Sequence, residues 1–114
     1  MLEFEEYKQK INALKPTLVT LSTALKTEEA LKEIEELEAE SSKDGFWNDM
    51  ERSQKVLKRI KQLKAKCDSY KKLKTRYEDL ITLCQMAIEE GDESLLPELI
   101  EEYDKFEKDL ETAR

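Results

Sequence analysis

The sequence predicts an all-α protein, an elongated antiparallel helical bundle or coiled coil organised on one long central helix over about residues 49–90. That stretch contains neither Gly nor Pro and consists largely of residues with high helix propensity. Its apolar residues also recur at intervals of four and three, which is the spacing of a coiled-coil seam. In the whole chain 41% of the 114 residues are charged and only two are Gly and two Pro, so little of it favours turns.

The seam of the long helix falls into two sets, and the alternation slips between them. Such a phase change lets a long helix exchange one packing partner for another. At ~1.5 Å per residue the helix is roughly 60 Å long, too long for one compact globule, so other helices must lie along each part. The two sets are Val56, Ile60, Leu63, Cys67 and Tyr70, and then Leu73, Tyr77, Leu80, Cys84 and Ala87.

Two helices are predicted before the long one. Pro16 should kink the first helix rather than end it, because the apolar stripe continues in phase on both sides. Thr27, followed by two glutamates, is the expected N-cap of the second helix. The first stripe contains Phe4, Tyr7, Ile11, Leu14, Leu18, Leu21 and Leu25, and the second contains Leu31, Ile34 and Leu37.

The first clear turn covers residues 41–45, and Asn48 with Glu51 is the expected capping box of the long helix. Its C-terminal end is expected at Gly91, in the left-handed conformation that glycine tolerates.

A final helix should carry Leu99, Tyr103, Phe106 and Leu110 in heptad spacing. Either Asp92 or Ser94 could be its N-cap. Pro97 favours Ser94, because proline would then be the third helical residue, and N–H groups in the first turn have no intrahelical acceptor.

The lengths of the predicted helices indicate which of them can pack side by side. The final helix reaches back only to about residue 70, so it would join the first helix and the distal half of the long helix in a three-helix bundle. The second helix and the proximal half would form a two-helix arm. We expect residues 1–114 to be a single helical domain. Folding at the two turns places Leu25 beside Leu63, Phe4 near Cys84, Leu99 beside Cys84, and Leu110 beside Leu73.

Composition excludes several classes of function. No apolar run approaches the ~18 residues of a membrane span, and the acidic start lacks the basic segment of a secretory signal, so a cytoplasmic protein without a membrane partner is expected. Histidine is absent, which removes the commonest metal ligand and acid-base group. Cys67 and Cys84 lie on one helix, about 25 Å apart by helical rise, and cannot bridge each other. We therefore expect no catalytic, metal or cofactor site.

Three segments resemble a known family: the opening Met-Leu-Glu-Phe, the turn Gly-Phe-Trp-Asn-Asp at 45–49 with Glu51 and Arg52 after it, and residues 87–94. Together they are similar to the N-terminal domain of the bacterial peptide chain release factor 2 family, a group of class I release factors. The resemblance covers essentially all 114 residues, and the turn is its most specific part. One departure is Asp44, where such factors often carry proline.

The resemblance implies a role in translation termination. It implies docking near the stalk base of the large ribosomal subunit, communication with the GTPase release factor, and contact with the remainder of a parent chain. The family's Ser-Pro-Phe and Gly-Gly-Gln motifs do not occur in these residues, and the only glycines are Gly45 and Gly91. We therefore expect a non-catalytic domain. The alternative function is a free-standing helical adaptor or oligomerising coiled coil.

Residues 52–76 contain eleven basic side chains against Asp68 alone, so this stretch is +10 in a chain of net charge −7. Two interpretations stay open: neutralisation by the glutamates of the second helix, and contact with RNA phosphates. Lys64 and Lys66 are expected to lack an acid directly across the hairpin. The candidate RNA-facing residues are Lys58, Lys61, Lys64 and Lys66.

The aromatic pair Phe46 and Trp47 lies in the first turn. In a helix-helix turn such residues more often plug the end of the core, although an exposed aromatic can anchor a partner. Both interpretations stay open.

Overall fold

The computed structural model describes residues 2–114; Met1, the first residue of the opening motif, lies outside them. Within the described residues every regular element is helical and no strand occurs, which confirms the all-α prediction. The α-helices are α1 (Leu2–Asn12), α2 (Lys15–Leu25), α3 (Thr27–Ser41), α4 (Met50–Glu90) and α5 (Leu96–Ala113), with 3₁₀ turns at Phe46–Asn48 and Glu93–Leu95.

The chain divides into two compact units. The first contains the residues up to Leu21 together with Lys72–Arg114, and the second contains Ser22–Lys71. The first is therefore the predicted three-helix bundle and the second the predicted two-helix arm of α3 and the proximal half of α4. The boundary on α4 falls inside the predicted phase slip between Tyr70 and Leu73. The slip therefore marks where α4 changes partners.

The three-helix unit has a core of buried apolar residues. Lys8 Nζ donates to Gln85 Oε1 at 2.9 Å, which sets α1 beside the distal half of α4 within one helical turn of the predicted pairing. Arg76 Nη1 donates to Asp109 Oδ2 at 2.8 Å, so α5 runs back along α4 as predicted. Buried residues of this unit include Phe4, Ile11, Leu80, Cys84, Ala87, Leu99, Tyr103, Phe106 and Leu110.

The first predicted helix is interrupted rather than merely kinked. α1 ends at Asn12 and α2 begins at Lys15, and the N–H of Leu14 donates to the carbonyl of Ile11 at 3.0 Å in a tight turn. Pro16 has no N–H to continue the α-helical ladder at Asn12. The apolar stripe nevertheless stays in phase, because Ile11 and Leu18 are both buried.

Thr27 is not the N-cap of α3, so that prediction is wrong. It is the first helical residue, and the preceding Lys26 is left-handed with φ 56° and has no side-chain capping bond. The Thr27 hydroxyl is buried and lies 2.6 Å from the hydroxyl of Ser22. Because the hydroxyl is engaged with the preceding helix, it is not available to the first turn of α3.

The cap of α4 lies one residue later than predicted. Asp49 Oδ1, rather than the side chain of Asn48, accepts the N–H of Arg52 at 3.1 Å. The 3₁₀ turn takes up Asn48, and this moves the start of α4 to Met50.

At the other end of α4 the prediction is confirmed. Gly91 has φ 64°, and its N–H donates to the carbonyl of Ile88 at 3.4 Å while the N–H of Asp92 donates to that of Ala87 at 3.1 Å. These two bonds form a Schellman motif.

Ser94 does not cap α5, in contrast to the prediction. Asp92 Oδ1 accepts the N–H of Ser94 at 3.0 Å and so opens the 3₁₀ turn. α5 then begins at Leu96, with Pro97 in its first turn. Proline is still placed where no intrahelical N–H is needed, but a 3₁₀ turn precedes the regular helix.

The register of the arm is also shifted from the prediction. Leu63 packs in one buried cluster with Ala30 and Ile34, whereas the sequence placed Leu25 beside it. The cause is the connection: α3 continues to Ser41, and the 3₁₀ turn belongs to the loop. The centre of the turn therefore lies beyond the Gly45 position from which the pairing was counted.

Candidate docking surface on the two-helix arm

The proximal half of α4 carries three parallel lines of residues seven apart, and such residues share one side of a helix. Its buried line contains Val56 and Leu63. Arg52 and Arg59 follow one side of that line, and we call this side the arginine flank. Met50, Leu57 and Lys64 follow the other side, the apolar flank.

The arginine flank is closed by two bidentate ion pairs to α3. Arg52 binds Glu40 through Nε at 2.9 Å and Nη2 at 2.8 Å. Arg59 binds Glu33 through Nε at 2.7 Å and Nη2 at 3.1 Å. These hydrogen bonds lower the pKa of both glutamates and raise the pKa of both arginines. Bidentate hydrogen bonds of this kind fix the relative orientation of the two side chains and also bring their opposite charges together.

The apolar flank has a different surface. Met50 is 59% exposed and Leu57 41%, and a long ion pair, Lys64 Nζ to Glu38 Oε1 at 3.7 Å, joins α4 to α3 there. Leu31 lies seven residues before Glu38 on α3 and therefore on the same side; it is 59% exposed. This flank exposes three large apolar side chains.

The structure separates the four predicted lysines into two kinds. Lys64 pairs with Glu38, and the charge of half-buried Lys66 contributes to the lowered pKa of Glu33. The expectation that Lys64 lacks a facing acid is therefore wrong, because the shifted register brings Glu38 of α3 within its reach. Lys66 forms no ion pair within residues 2–114. Lys58 and Lys61 are exposed and form no ion pair within residues 2–114. The basic stretch is thus neutralised in part and unpaired in part.

The two turn aromatics have different environments. Phe46 is buried, and its carbonyl accepts the hydroxyl of Ser53 at 2.6 Å. Trp47 packs edge-on against the Phe46 ring at a centroid distance of 5.1 Å, yet it is 60% exposed. Phe46 therefore has the position of a plug, while most of the Trp47 indole remains accessible to a partner.

Sequence reasoning missed Ser53, which is fully buried on the seam side of α4. Its hydroxyl bonds the carbonyls of both Phe46 and Asp49, and so ties the turn to the helix. Its position three residues before Val56, in phase with the seam, is the signal that could have identified it.

Two titratable side chains of the three-helix unit, Cys84 and Tyr103, have raised pKa values. Burial raises the pKa of the Cys84 thiol to about 11, so the nucleophilic thiolate is scarce at neutral pH. In the same unit, burial and a hydrogen bond to Glu107 raise the pKa of Tyr103 to about 12. Residues 2–114 contain no cluster of acidic, Cys or His side chains suited to a metal, and none of their helices is long and apolar enough to cross a membrane.

The fold and the arm surface define an all-α, coiled-coil type of domain. The chain belongs to the PCRF domain family, whose model matches residues 30–114.

Three curated relatives illustrate the similarity, and each is a peptide chain release factor 2. The chain is 38% identical to that of Nautilia profundicola over 112 residues, covering 93% of this chain and 30% of the relative. It is 36% identical to that of Borreliella burgdorferi over 105 residues, covering 92% and 29%. It is 31% identical to that of Clostridium perfringens strain SM101 over 114 residues, covering 100% and 31%. The predicted family resemblance is confirmed, and the chain spans about three tenths of these relatives.

Proposed function

We propose that this chain is the ribosome-docking domain of a cytoplasmic translation termination factor and is itself not catalytic. The observation that carries the proposal is the membership of the PCRF family together with similarity to release factor 2 over essentially the whole chain. By the same resemblance, its docking place is near the stalk base of the large ribosomal subunit, and it communicates there with the GTPase release factor. The remainder of the parent chain would read the stop codon and hydrolyse the ester.

The chemistry of the chain supports a binding role. Hydrolysis of peptidyl-tRNA in this family is attributed to a Gly-Gly-Gln segment, which these residues do not contain. A buried thiol such as Cys84 is protonated at neutral pH, and its raised pKa makes the thiolate scarcer still. A protonated thiol is neither a nucleophile nor a general base.

Lys58 and Lys61 are the best candidates for contact with the ribosomal phosphate backbone. Both are exposed on α4, and an unpaired ammonium can replace the counterions that surround a phosphate. Lys64 and Lys66 are weaker candidates, since each has a glutamate of α3 nearby. In the expected mechanism, these charges speed the encounter and orient the domain, and shape complementarity provides the specificity.

The proposal can be tested by co-sedimentation of the chain with ribosomes across a salt titration. The double substitution Lys58→Glu and Lys61→Glu should weaken binding most at low salt and should lower the salt dependence by roughly one counterion per lost contact. A matched control is Lys15→Glu with Lys32→Glu, which changes the net charge equally at two exposed positions outside this stretch. Equal weakening by both pairs would show only a general charge effect and would contradict the lysine site.

A release assay tests the absence of catalysis. We expect the 114 residues to give no stop-codon-dependent release of peptide from ribosomal complexes, even at concentrations that saturate binding. Release by the chain alone would contradict the proposal. The alternative adaptor function predicts no ribosome binding at any salt concentration, so the same co-sedimentation separates the two.

A further inference from the structure

A groove of about 310 Å³ runs between the distal half of α4 and α5 in the three-helix unit. α1 packs on other sides of these two helices, through the bond of Lys8 to Gln85 on α4 and the edge-on contact of Tyr7 with Tyr103 on α5. None of the lining residues belongs to α1. We call this surface the acidic groove, and its lining residues are Arg76, Asp79, Leu80, Leu83, Glu98, Glu102 and Phe106.

The acidic groove has an apolar floor between two walls that carry carboxylates. Leu80 and Phe106 are buried in the floor, and half-buried Leu83 leaves part of its side chain accessible. Because α4 contributes one wall and α5 the other, negative charge borders the apolar strip on both sides. The exposed carboxylates are those of Asp79 on α4 and, one helical turn apart, Glu98 and Glu102 on α5.

These carboxylates are weakly paired inside the unit. Asp79 and Glu98 form no ion pair within residues 2–114. Glu102 lies 3.9 Å from Lys105 Nζ, which is nearer to Glu101, at 3.3 Å. The negative charge of the walls therefore remains available to a partner.

The basic residue of the groove is already engaged. Arg76 Nη1 donates to Asp109 Oδ2 at 2.8 Å, and its guanidinium lies over the Phe106 ring at 5.4 Å from the centroid. The surrounding sequence adds no further base, since residues 77–104 contain ten acidic residues and neither Lys nor Arg. The groove is thus an apolar strip in a strongly acidic part of the chain.

We propose that the acidic groove binds a basic amphipathic helix of a partner protein. Such a helix has an apolar stripe with lysine or arginine on both sides of it, so the stripe lies on Leu83 while the cations meet the carboxylates of the two walls. Burial of the stripe supplies affinity, and the charges on the walls orient the helix. RNA does not suit this surface, because phosphates repel carboxylates. The inference does not rest on ribosome docking through the arm.

A synthetic peptide of about 18 residues, with leucine on one helical face and lysine on the other, is the probe. Its fluorescence anisotropy with the 114-residue chain at low salt should give a micromolar dissociation constant that weakens as salt is added. A second peptide of the same composition, with its leucines spread around the helix, should bind at least about tenfold more weakly, because it has no apolar stripe.

Charge reversal tests the walls of the groove. Asp79→Lys with Glu98→Lys should weaken binding of the basic amphipathic peptide at least about tenfold, because repulsion replaces attraction on both walls. The control Glu78→Lys with Asp104→Lys makes the same change in net charge at one exposed position on each helix outside the groove. It should weaken binding less than about threefold. Circular dichroism melting would verify that both double variants remain helical.

Truncation of Leu83 tests the apolar floor. Leu83→Ala should weaken binding about fivefold through lost apolar contact. Leu57→Ala removes the same side chain from an exposed position on the proximal half of α4 and should leave binding unchanged. The two charge-reversal pairs decide the question even if Leu83→Ala unfolds the chain.

Three results would overturn the proposal. The first is absence of binding by the basic amphipathic peptide at low salt. The second is equal binding of the two peptides, which would show that no apolar stripe is recognised. The third is equal weakening by the two charge-reversal pairs, which would show a general attraction between unlike charges rather than a groove with a defined place on α4 and α5.

Discussion

Arg59 and Glu33 join the two helices of the arm through both donors of the guanidinium fork, at 2.7 and 3.1 Å. The same geometry recurs one heptad away between Arg52 and Glu40. These two pairs show which residues of α3 lie opposite which residues of α4. Heptad spacing alone does not determine this alignment. Their surface position implies a modest and salt-sensitive contribution to stability.

The ion pairs predict an acid-dependent loss of stability. Both glutamates have folded-state pKa values below the ordinary value of 4.5. Stability from a lowered carboxylate pKa is fully present above the unfolded pKa and is lost as the pH falls through the folded one. The double variant Glu33→Gln with Glu40→Gln should therefore have a lower Tm than the wild type at neutral pH, and the difference should vanish in acid.

Melting followed by circular dichroism between about pH 7 and pH 2 would measure this difference. Glu36→Gln, at an exposed position of the same helix that forms no ion pair within residues 2–114, is the control and should show no comparable pH dependence. A constant difference in Tm over the whole range would contradict the role of these carboxylates.

Leu80 should be essential to the three-helix unit. It is 4% exposed, so Leu80→Ala should lower the free energy of unfolding by roughly 2 to 5 kcal/mol through lost burial and a residual cavity. Lys61→Ala, at an exposed position, should change it by less than about 0.5 kcal/mol. Urea denaturation would compare the two, and equal shifts of the midpoint would contradict the assigned core.

Ser53 should stabilise the turn of the arm. Ser53→Ala removes the hydroxyl that serves the carbonyls of Phe46 and Asp49 and should cost about 1 to 2 kcal/mol, because the buried Phe46 carbonyl loses its donor. Ser69 is exposed on the same helix, and Ser69→Ala is the control for the higher helix propensity of alanine. If the two variants had equal stability in chemical denaturation, the hydrogen bonds of Ser53 would make no net contribution to the free energy of unfolding.

Substitution of Gly91 by a residue with a β-carbon should lower stability through backbone strain alone. Its φ is +64°, and an added Cβ would meet no atom within 4 Å. Gly91→Ala should therefore cost roughly 1 to 2 kcal/mol through left-handed strain. Gly91→Asn should cost less, since asparagine tolerates this conformation. Thermal or chemical unfolding of both variants measures the difference, and a neutral Gly91→Ala would show that the C-terminal turn of α4 rearranges without penalty.

Much of the candidate surface could be predicted from the sequence. The exposure of Lys58 and Lys61 and the location of Phe46 in the turn follow from heptad phase and turn composition. The ion pair of Lys64 with Glu38 did not follow, because long flexible side chains reach a partner several residues away and a shift of one turn changes which partner that is. The predicted N-caps Thr27 and Ser94 are also wrong. Each hydroxyl has more than one local acceptor or donor, and the surrounding packing selects among them.

The sequence by itself determined the helical class, the long α4, the left-handed Gly91 and the place where α4 changes partners, since these depend on propensity, apolar phase and glycine chemistry along one chain. Tertiary structure alone decided how α3 is aligned with α4, which flank of the arm is closed by arginine forks and which flank stays apolar. The physical reason is the repeat itself. A heptad pattern matches its partner almost equally well after a shift of one turn, so the conformation of the connecting loop must choose among the registers.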